Sequence, residues 1–294
     1  THRYVPKINR GNVWEIATDE LIDTLEGRTQ LKLAMLNGSV LVSAQELQSS
    51  GHVAQWAEKQ LAKNAMIDFK SIGESTLGRP IWVMDIQQGD PKGKPVIVFL
   101  TRQHPPEVTG YFAFKAFMEE LLKDTSLSND FFDRYHVLAF PLVNPDGVDL
   151  GHWRHNAGGV DTNRDWGKYR QPEIKAIVRY IHTVLRKEKA QLVLGLDFHS
   201  TWYDVFYTNV ERKASPFPNF LDDWFNALEN RIPNYKVNEK ASNSTQPVSK
   251  GWLFYGHKAV GVTYEIGDET PRDSIRLIGQ TSAKAMMEIL IENR

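Results

Sequence analysis

Four short, mostly apolar runs punctuate the chain: Val96–Leu100, Val137–Val143, Leu192–Phe198 and Ala259–Tyr264. Runs of this length and composition predict strands buried on both faces, as in a parallel sheet covered by helices. Between them the apolar positions change to a helical period. Val53, Trp56, Ala57 and Leu61 share one face of a helix over His52 to Lys63. Phe112, Phe117, Met118, Leu121 and Leu122 recur at helical spacing, as do Ile174, Ile177, Val178, Ile181, Val184 and Leu185 behind Pro172. Phe220 to Ile232 and Ser274 to Ile291 predict two further helices. Phe69–Ile72 and Ile81–Ile86 predict strands joined around a Gly78-Arg79-Pro80 turn. Strands alternating with helices predict an α/β fold: a mixed, mostly parallel twisted sheet with helices on both faces. The first fifty residues carry weaker signals. Trp14 to Leu25 predicts a helix, and Leu31 to Val42, interrupted by Asn37-Gly38, predicts a hairpin. The expected organisation is an N-terminal arm or small appendage over 1–50 and one domain over 51–294.

Composition narrows the class. The chain has 294 residues, 41% hydrophobic and 24% charged, with a formal net charge of -1. No global field draws it to nucleic acid or to an anionic membrane, and no apolar run approaches the length of a membrane span. The absence of cysteine excludes disulfides, thiolate metal sites and a cysteine nucleophile. The sequence starts at Thr1, which leaves the compartment open between the cytoplasm and export after removal of a signal peptide. Oligomeric state is open too.

Ionisable residues recur at equivalent places. His104 and Glu107 follow the run ending at Leu100, His199 follows Phe198, and Glu265 follows Tyr264. In open α/β sheets the C-terminal ends of strands are where ligands bind. Pro105 and Pro106 hold His104 extended and suit the start of a helix. One histidine near one glutamate is common, and a glutamate in a helix's first turn is often only a cap. Two histidines and a glutamate, however, suit zinc and leave its fourth position open, with Glu265 available as general base. No HExxH or GxSxG motif occurs, and Gly89 to Lys94 lacks the spacing of a phosphate loop. Residues 148–170 are polar and rich in Gly, Asn and Arg, as expected of a functional loop.

From about His52 onward the chain resembles the zinc carboxypeptidases. The resemblance rests on His104-x-x-Glu107, Asn144-Pro145-Asp146-Gly147, Arg154, Gly159-Val160-Asp161-Thr162-Asn163-Arg164-Asp165-Trp166, Asp197-Phe198-His199-Ser200, and Trp252 thirteen residues before Glu265. The segment Ile72 to Ile86 looks like that family's opening hairpin, and the spacing looks most like its cytosolic carboxypeptidase branch. The resemblance implies a zinc metallocarboxypeptidase that hydrolyses the C-terminal amide bond of peptides, with one Zn2+ per chain on His104, Glu107 and His199. Asp161 would fix the tautomer of His104. Arg154 would polarise the scissile carbonyl, Asn163 and Arg164 would bind the substrate's free C-terminal carboxylate, and Glu265 would act on water. Lys250, two before Trp252, would lie at the base of the pocket for the last side chain and favour acidic C-terminal residues. The competing reading is a solvated loop lysine, and a shift of one residue would bring Val248 or Ser249 there instead. The resemblance also implies a cis peptide at Ser200-Thr201. The tyrosine that many members carry before this tryptophan is missing from Val237–Gly251, with Tyr235 and Tyr255 nearest. His152 and His155 beside Arg154 are read as solvated loop histidines, or else as a second metal pair. Two alternatives stay open: a zinc amidase acting on murein peptide or acyl-amino acids, and an inactive binding protein.

Overall fold

The computed structural model describes residues 3–11, 13–18, 22–25, 28–34, 38–213, 215–243 and 245–292. They fall into two compact units, 1–48 and 49–294. In the first, β1 (Lys7–Asn9) is flanked by β2 (Trp14–Ile16) and by β5 (Leu41–Ser43), both antiparallel to it. A separate hairpin joins β3 (Ile22–Leu25) to β4 (Arg28–Leu31). Within Trp14 to Leu25 the described residues hold two strands, Trp14–Ile16 and Ile22–Leu25, and no helix. Aromatic and β-branched Trp14, Ile16, Ile22 and Thr24 favour a pleated backbone over a helical one. Leu31 to Val42 is no single hairpin either, since Leu31 pairs back to Ile22 and Leu41 pairs with Asn9. Asn37 lies outside the described residues.

The second unit opens with α1 (Ser50–Leu61), whose N-cap Ser49 and third helical residue His52 form a capping box. The hairpin of β6 (Ile67–Glu74) and β7 (Pro80–Ile86) turns at Gly78, where φ is 78°. Then come β8 (Val96–Thr101), α2 (Val108–Leu121), α3 (Ser126–Arg134) and β9 (His136–Phe140). α4 (Pro145–Asp149), α5 (Pro172–Glu188), β10 (Leu192–Thr201), β11 (Val205–Thr208) and α6 (Phe220–Arg231) follow. The unit closes with β12 (Glu239–Ala241), α7 (Ser249–Gly251), β13 (Val260–Gly267) and α8 (Arg272–Glu292).

Eight strands form one sheet in the order β12-β11-β13-β10-β8-β9-β7-β6. The centre, β13-β10-β8-β9, is parallel, and antiparallel pairs enter at β13-β11, β9-β7 and β7-β6. Period-two alternation assigns the two faces. Ile97 and Phe99 of β8 join the core under α2, α6 and α8, while Val96, Val98 and Leu100 join the core under α5. Helices thus cover both faces, as the unbroken apolar runs require. Among the described residues no helix is long and apolar enough to cross a membrane.

Candidate active site

The site forms along the C-terminal ends of the central parallel strands, where β8, β10 and β13 lie side by side. β8 ends at Thr101, and Arg102 turns the chain with a left-handed φ of 59°. The segment to Glu107 then enters α2. Gly110, in the first turn of α2, packs directly on β10: a Cβ built there would lie 2.2 Å from the His199 carbonyl oxygen. Only glycine permits this approach, and it brings the start of α2 to His199. On the other side, the parallel register pairs His199 with Glu265. Both stand two residues inside their strands rather than beyond them, because pairing continues through Ser200–Ile266 and Thr201–Gly267.

His104, Glu107 and His199 are all buried, and one donor atom from each lies within 4.8 Å of the others. His104 Nδ1 is 2.9 Å from Glu107 Oε1, and His199 Nδ1 is 2.7 Å from Glu107 Oε2. Both imidazoles therefore turn Nδ1 inward and Nε2 outward. The outward nitrogens meet further carboxylates: His104 Nε2 lies 3.0 Å from Asp161 Oδ1, and His199 Nε2 lies 2.9 Å from Asp197 Oδ2. Burial by itself would lower the pKa of each histidine. The charges and hydrogen bonds of Glu107 with Asp161, or of Glu107 with Asp197, outweigh it and raise both values. Burial would raise Glu107, but the two histidines hold it well below the carboxylate range. Three carboxylates around two imidazoles thus make a field that favours added positive charge at the inward nitrogens. The donor set and this field fit a divalent cation such as zinc.

Asp161 is the joint for the remaining loop residues. Besides His104 it accepts the Asn163 amide at 2.9 Å and Arg154 Nε at 2.7 Å, with Arg164 Nη1 at 3.8 Å. Burial opposes ionisation of Asp161, but His104 and Arg154 lower its pKa strongly. Arg154 and Arg164 are each more than a third exposed, so their guanidinium groups reach open space beside the buried triad. Asn163 is buried. Its Oδ1 accepts the Ser249 amide at 2.9 Å, and its Nδ2 lies 3.5 Å from His199 Nε2. Asn144 and Asp146 build the scaffold behind this loop. Asn144 caps α4 through the Gly147 amide, and buried Asp146 accepts Ser75 Oγ, the Leu77 amide and Arg79.

Lys250 sits apart from the triad. It is 4% exposed, and its Nζ donates to the carbonyl oxygens of Thr208 and Ser242 at 2.7 Å each. Burial lowers its pKa to about 8. Among the described residues no carboxylate lies within ion-pair distance of it. Gly261 fixes its backbone, since a Cβ there would fall 2.6 Å from the Lys250 carbonyl oxygen.

One expectation changes, and two open alternatives narrow. No described peptide bond is cis, and Ser200-Thr201 runs as ordinary paired strand. Tyr255 is exposed and Tyr235 packs partly buried against the core, where burial raises its pKa. His152 Nδ1 is engaged by the His155 carbonyl oxygen at 3.1 Å, and neither residue joins a metal-binding group among the described residues. Asp197 and its partner Gln103 join the site beyond the residues that the sequence motifs assign to it. The signal was in the sequence: two residues before His199 on one strand, Asp197 had to share its face.

The sequence pattern of the Peptidase_M14 family, zinc carboxypeptidase, matches residues 53–283. Cytosolic carboxypeptidase 2 of Xenopus tropicalis is 29% identical over 126 residues, which are 42% of this chain and 13% of that protein. The chain thus spans a small part of the length of the cytosolic carboxypeptidases it matches. Among solved structures, the metallo-carboxypeptidase of Burkholderia cenocepacia superposes with a TM-score of 0.81 at 16% identity, covering 98% of this chain and 80% of that one. The metallo-carboxypeptidase of Pseudomonas aeruginosa, in complex with (2-guanidinoethylmercapto)succinic acid, gives 0.79 at 18%, covering 99% and 81%. With the match running across most of the second unit, from α1 into α8, the chain belongs to the zinc carboxypeptidase family.

Proposed function

We propose that residues 51–294 form a zinc metallocarboxypeptidase that removes the C-terminal residue of a peptide and prefers an acidic one, with residues 1–50 as an appendage. The observation that carries the hydrolase reading is the buried triad of inward-facing donors with Glu265 register-locked to His199 on the next strand. His104, Glu107 and His199 would hold zinc. When bound, the metal supplies a Lewis acid for a carbonyl oxygen and lowers the pKa of water. Glu265 takes the proton from the attacking water and returns it to the leaving amine. Arg154, anchored on Asp161, turns its remaining donors to the scissile carbonyl oxygen as charge develops there. Arg164 receives the terminal carboxylate as a fork, with Asn163 beside it. Such recognition of a free carboxylate favours a chain-end substrate over an internal peptide bond.

Lys250 carries the specificity. A buried ammonium satisfied only by neutral carbonyl groups is stabilised by an added carboxylate, and a Glu or Asp side chain supplies one. Its charge is lost as pH rises through about 8, so the advantage of an acidic end should fade above that value. The test is metal content together with kcat/KM for blocked dipeptides ending in Glu, Leu and Lys. The expected ranking places Glu first, and Lys250→Ala removes that lead. A preference for Leu, or an unchanged ranking in Lys250→Ala, overturns the specificity while leaving the peptidase assignment. Stoichiometric zinc with no turnover on any end overturns the peptidase assignment.

A further inference from the structure

Asp197 takes no part in the roles above, yet it lies fully buried at the junction of the site's two halves. Its Oδ2 accepts Gln103 Nε2 at 2.5 Å and Ser249 Oγ, and lies 2.9 Å from His199 Nε2. Gln103 is itself held, with its Oε1 accepting Trp166 Nε1 at 2.9 Å and its carbonyl accepting Thr162 Oγ1 at 3.1 Å. Ser249 also donates its amide to Asn163 Oδ1 at 2.9 Å and directly precedes Lys250. The other oxygen of Asp197, Oδ1, is buried with no hydrogen-bond partner among the described residues.

We propose that Asp197 is a positioning residue: it holds His199 with Nδ1 as the metal donor and, through Ser249, ties that ligand to the segment bearing Lys250. A neutral imidazole carries its proton on one nitrogen, and the partner of that nitrogen decides which one. A carboxylate facing Nε2 keeps the proton there, leaves the Nδ1 lone pair inward and raises its basicity. Residues i and i+2 of one strand share a face, so Asp197 reaches His199 without a loop or a mobile rotamer. A carboxylate buried this deeply, with one oxygen unsatisfied, is costly unless compensating charge lies close by. A metal ion held by His199 would supply that charge through the imidazole. Asp161 serves His104 in the same way, so both histidines stand between an inner donor set and an outer carboxylate.

Asp197→Asn separates the charge from the shape. The amide oxygen can keep both donors of Oδ2 and its place beside His199 Nε2, and the amide nitrogen falls where Oδ1 has no partner. Zinc affinity is measured by chelator competition, and the cobalt-substituted protein reports ligand geometry by visible absorption. The expected results are zinc binding weakened by about 10- to 100-fold and a changed cobalt spectrum. Ser249→Ala, which keeps the carboxylate and removes one donor, should weaken zinc binding in the same direction by a few-fold. Zinc affinity of Asp197→Asn within twofold of the unsubstituted chain overturns the proposal. So does lowered stability of the metal-free protein with an unchanged cobalt spectrum, the mark of a merely structural residue. If Asp197→Asn yields no folded protein, unchanged zinc affinity in Ser249→Ala is the overturning result. The proposal rests on the zinc reading of the site. None of these readouts involves a peptide, so failure of the acidic preference leaves it standing, whereas an unsubstituted chain that takes up no zinc removes both.

Discussion

Gly110→Ala should damage the metal site although residue 110 offers no ligand. The added Cβ would lie 2.2 Å from the His199 carbonyl oxygen and 2.6 Å from its carbonyl carbon. Close carbon–oxygen contacts reach only ~3.3 Å, so α2 and β10 must part by about 1 Å. Both contacted atoms are backbone in a central strand, so no side chain can swing away. Overpacking of this kind costs ~1–3 kcal/mol, against which alanine recovers at most ~1 kcal/mol of helix propensity. For a unit of this size each kcal/mol moves Tm by roughly 2–4 °C, which gives an expected fall of a few degrees. The functional effect should be larger. Glu107 lies one turn before Gly110, and its Oε2 is 2.7 Å from His199 Nδ1, so parting the two elements opens the donor set itself. Misplacement by ~1 Å costs on the order of 10²-fold in rate. The assay pairs a melting curve with zinc competition and turnover. Gly51→Ala is the control: Gly51 is an exposed position in the first turn of α1, and its Cβ would meet only Ser49 Oγ at 3.7 Å. It should be neutral or stabilising. Native zinc affinity and Tm in Gly110→Ala would refute the claim that this close approach sets the geometry of the site.

Other outcomes follow from single residues. His199→Ala should abolish zinc retention, and stoichiometric zinc in that variant by elemental analysis would end the ligand assignment. Glu265→Gln should keep fold and metal but lose turnover by ~10²–10⁴-fold or more, with near-normal kcat as the contrary result. His136 is buried between Glu188, 2.7 Å away, and Asp85, 2.5 Å away. Burial would lower its pKa, but the two carboxylates outweigh this and raise it. Its contribution to stability is therefore fully present below about pH 6.5, the unfolded value, and is lost as pH rises through the folded one. Urea unfolding of zinc-saturated protein should show stability declining over that window, and His136→Gln should flatten the decline. An equal decline in the variant would show that the linkage lies elsewhere.

The central unit was legible in the sequence because burial on both faces leaves a signal of its own. Val96–Leu100 and Leu192–Leu196 carry no polar side chain whichever way each residue points, and α5 carries its stripe from Ile174 to Val184. β11 and β12 at the sheet's edge left no such run, and neither was anticipated. The N-terminal unit was misread for the same reason. Its strands have only three or four residues and leave Ile16, Leu41 and Val42 exposed, too little buried surface to impose a period on the sequence.

Within the site, residues fixed by strand ends were easier to read than residues fixed by contacts across loops. His104, Glu107 and His199 could be grouped because the ends of parallel strands converge in space. The outer carboxylates differ from each other in this respect. Asp161 reaches His104 across fifty-seven positions of chain, and only resemblance to a family suggested the pairing. Asp197 reaches His199 across two, and strand geometry alone required it. A polar residue inside a strand buried on both faces is costly without a partner on its own face. In β10 that face also carries His199, so the aspartate that interrupts the strand's apolar run marks the candidate metal site from within.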